Sequence, residues 1–224
     1  DDGNRNNINL KGYDENGELI NDPNSAFGIL EGFKEKYPDF NVTATFFVNE
    51  GLFNQPEYND EIIKWLVDNG YDVGNHTKGH VDFTKISKER AQESIAYIYK
   101  KLDEIIPGQH VNIIALPFGS PYQRQHDIFS YILKGNYKGY LYETKATLRV
   151  GWEPERSPHH KDFDKTFIKR VRAWDNNGQD FDIEMVFKNL ENARYISDGR
   201  TDTIVIPKDL TDTIGDSDKK IIKY

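Results

Sequence analysis

Gly70-Tyr71-Asp72-Val73-Gly74-Asn75-His76-Thr77-Lys78-Gly79-His80 is a short apolar segment that runs out into two histidines four residues apart. Tyr71–Gly74 reads as a strand, punctuated by the glycines at its ends. Histidine is the commonest metal ligand near neutral pH. Two of them at this spacing share either a helical face or a tight loop, and either arrangement lets them converge on one ion. Thr77 stands where a zincin needs glutamate, which disfavours that motif.

The flanking residues set the fold class. Upstream, Val42-Thr43-Ala44-Thr45-Phe46-Phe47-Val48 is dense in β-branched and aromatic residues and reads as a buried strand. Residues 59–69 follow as a helix with Ile62, Ile63, Leu66 and Val67 on one face and Gly70 as its stop. Downstream, residues 87–106 carry a stripe of Ala91, Ile95, Ile98, Leu102 and Ile105, ended by Pro107-Gly108. Val111–Leu116 is the next strand, and Pro117-Phe118-Gly119-Ser120-Pro121 is a rigid loop at its end. Alternating strand and helix mark a parallel α/β sheet or barrel. Active sites in such folds gather at the carboxyl ends of the strands. His76, His80 and the Pro117 loop all fall there.

Elsewhere the pattern is looser. Residues 4–24 are rich in Asn, Asp and Gly and read as a surface loop turning at Asn16-Gly17. Residues 25–37, with Ala26, Leu30, Phe33 and Tyr37 at helical spacing, read as an amphipathic helix. In the second half, 126–134 and 180–193 read as helices. Gly139–Val150, Phe167–Trp174, Arg194–Ile196 and Thr203–Ile206 read as strands.

At 224 residues the chain suits a single domain, 1–224, with a large core. Net charge is −8 and no Lys/Arg-rich block stands out, which argues against a nucleic-acid partner. No apolar run approaches membrane-spanning length. Cysteine is absent, which excludes disulfides, thiolate metal sites and a cysteine nucleophile. The sequence opens with Asp1-Asp2-Gly3. One aspartate joined to two histidines makes a hydrolytic metal centre with open positions.

In order, Asp1-Asp2-Gly3, Thr43-Ala44-Thr45-Phe46-Phe47-Val48, Gly70 through His80, and Leu116-Pro117-Phe118-Gly119 resemble the motifs of the polysaccharide deacetylases. That is the NodB-homology type, carbohydrate esterase family four, and the likeness covers the first 120 residues or so. The resemblance implies a distorted (β/α) barrel of seven or eight strands. It implies hydrolysis of acetyl groups from a glycan, with Asp1 as catalytic base and Asp2, His76 and His80 as metal ligands. Zinc is the first choice for such a ligand set, with cobalt or nickel compatible. Asp1 would take a proton from water as general base. The N–H at Phe118 matches the family's oxyanion donor. Pro117, Phe118 and Gly119, with Trp152 and Trp174, are the expected substrate contacts, since apolar sugar faces stack on flat rings.

The chain departs from the family in three places. Ala115 stands where the family has an arginine, and Arg170 or Arg172 is the expected replacement. In the late motif, Tyr195-Ile196-Ser197-Asp198 puts Ser197 in the place of the general-acid histidine. Serine is no acid near neutral pH, which leaves Asp175 as the chosen candidate beside His126, His159 and His160. His159-His160, between Pro158 and Lys161, reads as a solvent loop. The strand that should precede Asp1 is missing from this sequence, so the natural protein is expected to continue upstream. The expected partner is an acetylated glycan containing N-acetylglucosamine, peptidoglycan or chitin-like, met outside the cell or at its surface. The alternatives are a weakly active or inactive glycan-binding relative that keeps the metal site, and an O-acetyl esterase acting on xylan or muramic acid.

Overall fold

The computed structural model describes residues 1–150, 153–173, 177, 183–191 and 196–224. Residue contacts divide the chain into two compact units, Asp1–Thr147 and Leu148–Tyr224.

The first unit opens with a hairpin, β1 (Leu10–Tyr13) against β2 (Leu19–Asn21). A surface loop was expected over these residues. Pairing arises because the Asp14 carboxylate accepts from Asn16 N and Glu18 N, each at 2.8 Å, which closes the turn. Ile8 and Leu10 are buried beside it. Helix α1 (Ala26–Lys36) follows, and the hydroxyl of its cap Ser25 accepts from Gly28 N.

Two βαβ units then build the sheet: β3 (Thr45–Val48), α2 (Asn59–Asp68), β4 (Asp72–Asn75), α3 (Lys88–Ile105) and β5 (Ile113–Ala115). Helix α2 ends in a Schellman motif, with Tyr71 N donating to Leu66 O at 2.9 Å and Gly70 N to Val67 O at 3.1 Å. Gly70 supplies the positive φ of 82° that this ending needs. Helix α3 starts at Ser87, whose side chain accepts from Arg90 N. The core gathers Ile62, Ile63 and Leu66 of α2, Ile98 and Leu102 of α3, and Phe46 and Val73 of the strands. Phe27 sits among them, its ring centroid 4.6 Å from Trp65 and 5.1 Å from Tyr71.

After β5, the helix α4 (Phe129–Leu133) is followed by a hairpin of β6 (Lys134–Tyr137) and β7 (Tyr140–Glu143), then by β8 (Ala146–Val150). The β6 strand was not expected: Lys134-Gly135-Asn136-Tyr137 lacks the β-branched density that marks β3. Strand β8 runs through the boundary between the units. In the second unit its last residues pair in parallel with β9 (Ile168–Arg170). Helix α5 (Ile183–Leu190) and the parallel pair of β10 (Thr203–Ile206) and β11 (Lys220–Lys223) complete that unit.

In the first unit the parallel strands lie in the order β3-β4-β5, and in the second β8 pairs with β9. The α/β class and parallel sheet agree with expectation. Among the described residues the sheet has five strands, short of the seven or eight implied by the resemblance. Among the described residues no helix is long and apolar enough to cross a membrane.

Truncating Phe27 to alanine removes the ring on which α1, α2 and β3 meet. The Phe27→Ala variant is expected to lose about 3–5 kcal/mol of unfolding free energy, read as a lower urea midpoint.

Candidate metal centre

Parallel pairing sets Val48 opposite Asn75 and Asn75 opposite Ile114, so β3, β4 and β5 finish almost level. The candidate ligands stand just past that edge. His76 follows the last residue of β4 and its backbone N–H donates to Val48 O at 2.8 Å. The residue is 2% exposed. Nδ1 lies 2.7 Å from the carbonyl oxygen of Ala115, at the end of β5. A carbonyl can only accept, so Nδ1 carries the proton and Nε2 presents a bare lone pair.

The loop from His76 to His80 is not helical. Thr77, Gly79 and His80 take positive φ values of 68°, 78° and 45°. Asn75 shapes it from a fully buried position: its Nδ2 donates to Ile95 O of α3 at 3.0 Å and its Oδ1 accepts from Thr77 N at 2.8 Å. Lys78 N donates to Ser94 O at 3.0 Å, and Gly79 N donates to the Glu50 carboxylate at 2.6 Å. His80 thereby turns back over His76, with ring centroids 4.8 Å apart.

Asp2 reaches this corner on a left-handed turn, with φ 73° at Asp2 and 62° at Gly3. Gly3 is buried so tightly that a Cβ there would lie 1.7 Å from the Leu52 carbonyl oxygen. Asn54 Nδ2 donates to Gly3 O at 3.3 Å. Asp2 Oδ1 is then 3.2 Å from His76 Nε2 and 3.4 Å from His80 Nε2. One ligand atom from each of the three residues lies within 4.8 Å of the others.

This donor set fits a divalent ion. Ligand atoms about 2.0–2.2 Å from one tetrahedral ion lie roughly 3.4 Å apart. Burial also lowers the His76 pKa from 6.5 to about 4, outweighing the opposing pull of the Ala115 carbonyl and Asp2. With that ring unprotonated, Nε2 and a carboxylate oxygen face each other as two acceptors, an arrangement that a cation between them would satisfy.

The loop after β5 forms one wall. Phe118, at φ 57°, stacks edge-on against His80 with centroids 4.6 Å apart, while Pro117 and Gly119 are buried. Ser120 holds the loop from below, its hydroxyl accepting from Phe83 N at 2.8 Å. Asp1 is exposed and precedes Asp2 in the chain.

The remaining expected residues are placed as follows. Arg170 lies on β9 of the second unit, where burial lowers its pKa. Trp152, Trp174 and Asp175 fall outside the described residues. His126 is exposed, and its Nδ1 accepts from Ile128 N. His159 and His160 are half-buried and line a cavity of about 440 Å³ in the second unit, beside Ile204, Ile206 and Ile214, where a solvent loop was expected. The sequence pointed to neither Glu50 nor Asn54, and it gave no role to Asn75 or Ser120 within the motif and loop that contain them; all four hold backbone. Only Asn75 carried a signal, as a polar residue closing an apolar strand.

The parallel strands thus carry, at their carboxyl edge, an Asp-His-His cluster able to hold a metal ion. Residues 37–133 match the family model described as polysaccharide deacetylase. The matched segment takes in both histidines and the Pro117 loop, and the resemblance read from the motifs holds over it. No curated protein and no solved structure matches the chain.

Gly3→Ala is expected to abolish tight Zn²⁺ binding in a competition assay with a chromogenic chelator, because the added methyl must displace the Leu52 carbonyl and Asp2 with it. For the metal-free protein, the depressed His76 pKa means that below about 6.5 the unfolded chain takes up a proton which the native state refuses. Stability is therefore full above that pH and falls as pH drops toward 4. Urea unfolding across this window should show a shallower decline for His76→Asn.

Proposed function

We propose that the chain is a metal-dependent hydrolase that removes acetyl groups from an N-acetylglucosamine-containing polysaccharide, peptidoglycan or chitin-like. The observation that carries this reading is the convergence of Asp2, His76 and His80 at the carboxyl ends of β3, β4 and β5, within and beside a segment matching the polysaccharide deacetylases.

Asp2, His76 and His80 would hold the ion, with zinc favoured by one carboxylate and two imidazoles and cobalt or nickel also suited. When bound, such an ion acidifies water and polarises a carbonyl. The residues of the chain do the rest. Asp1, exposed beside Asp2, accepts the proton of the attacking water. The Phe118 N–H, on its left-handed turn, meets the negative charge that develops on the acetyl oxygen. The Phe118 ring, 56% exposed, offers a flat face to the sugar beside His80. A wall-polymer substrate would be met outside the cell or at its surface.

One observation favours a second reading. Ala115 stands in the place of the family arginine, and Ser197 in that of the general-acid histidine. An alkoxide leaving from an ester needs less protonation than an amine leaving from an amide, which favours an O-acetyl esterase.

Acetate release from N-acetylglucosamine oligomers is expected with added Zn²⁺ or Co²⁺ and is lost on chelation. Asp1→Asn should lower it by about 10²-fold or more. Activity that survives both chelation and this substitution overturns the reading. A matched O-acetylated substrate turned over far faster than the amide selects the esterase.

A further inference from the structure

Helix α1 carries a second surface that the metal centre does not use. Ile29, Phe33 and Tyr37 recur every four residues, and Phe40 follows in a short 3-10 turn. All four stay at the surface, exposed by 60%, 42%, 45% and 69%. Phe33 stands 4.6 Å from Tyr37 and 5.4 Å from Phe40, the latter pair at 82°, so the rings present faces in different directions. With Lys36, Pro38 and Asp39 they line an open groove of about 560 Å³. Contiguous exposed apolar patches of this kind mark binding sites in soluble proteins.

Charge narrows the occupant. Lys34 and Lys36 are set against Glu31, Glu35 and Asp39, so the surface is close to neutral. Lys34 pairs with Glu31 at 3.5 Å, and Lys36 lies over the Tyr37 ring at 5.1 Å. Nucleic acid and anionic lipid both need a cationic excess that is missing here. A pyranose needs none: its C–H face stacks on a ring, and its hydroxyl rim meets a donor such as Lys36 and an acceptor such as Asp39.

We propose that the Phe33–Tyr37–Phe40 surface is a second binding platform for a neutral, N-acetylated glycan chain, separate from the metal centre. The choice of glycan rests on the deacetylase reading above. The platform lies in the connection that enters β3 at its amino end, whereas the metal ligands follow the carboxyl ends of β3 and β4. It therefore grips polymer away from the reacting acetyl group and holds the protein on an insoluble mesh, raising the local concentration of substrate.

The test is retention of the full chain on insoluble poly-N-acetylglucosamine in the presence of a chelator, so that neither an ion nor turnover contributes. Phe33→Ala/Phe40→Ala is expected to weaken retention roughly tenfold, as loss of a stacking anchor does. Phe40→Tyr, which keeps the ring, should retain parental binding, and an unchanged urea midpoint shows that the fold is intact. Deacetylation of a soluble trimer should be unaltered in the double variant. Retention that is absent in the parent, or equal in parent and double variant, overturns the platform. So does a parent dimer in sedimentation that the double variant loses, or ring-dependent binding to neutral phosphatidylcholine vesicles. If the parent is retained through these rings yet releases no acetate, the platform stands and the deacetylase reading falls.

Discussion

The hydrogen bond from His76 Nδ1 to the Ala115 carbonyl is the contact on which the centre depends. It ties the residue after β4 to the end of β5 and decides which nitrogen of a buried ring faces the other ligands. Without it the imidazole could rotate or change tautomer, and Nε2 would no longer point at Asp2. Metal-binding histidines are commonly anchored through their second nitrogen, and the candidate ligand His76 shares that arrangement. Here the anchor is backbone, which no side-chain substitution at residue 115 removes as long as the strand persists. The level ends of three parallel strands make this possible, and those ends are level because the βαβ register is.

Much of this was legible in the sequence, for identifiable reasons. Helices α2 and α3 announce themselves by apolar stripes and by the stops at Gly70 and Pro107-Gly108. Strand β3 does so by its run of β-branched and aromatic residues. The three candidate ligands stand out in sequence because histidine and aspartate carry their chemistry in the side chain, and the structure brings them together. What holds them was not found. Glu50 and Asn54 act on main-chain groups far away in the chain, and Asn75 on Ile95 O as well as on nearby Thr77 N; such partnerships leave no local periodicity. The hairpins failed for the opposite reason: β1, β2 and β6 are only three or four residues long, too short to show an alternating pattern, so pairing geometry rather than composition makes them strands. The choice between helix and loop for residues 76–80 also needed coordinates, since four-residue spacing serves both.

The two halves of the chain differ in how firmly their sequence dictates structure. The first unit buries a continuous aromatic and aliphatic core. Among the described residues of the second unit, only Val186, Thr203 and Ile204 are fully enclosed. Weak periodicity after residue 150 and a thin core are the same fact seen at two levels, since amphipathic patterning exists to fill a core.

The left-handed backbone at the centre has one more consequence. Asp2, Thr77, His80 and Phe118 all adopt positive φ without being glycine, as do Leu52 and Asn54 beneath them. Each such residue costs of order 1 kcal/mol relative to a relaxed conformation. Glycine would relieve that strain at Asp2 and His80 only by deleting a candidate ligand, and at Leu52, 3% exposed, it would empty a buried site that costs more than the strain. Relief of strain in this corner is thus bound to loss of the site or of its packing. A thermostabilised descendant of this chain should be sought through changes elsewhere.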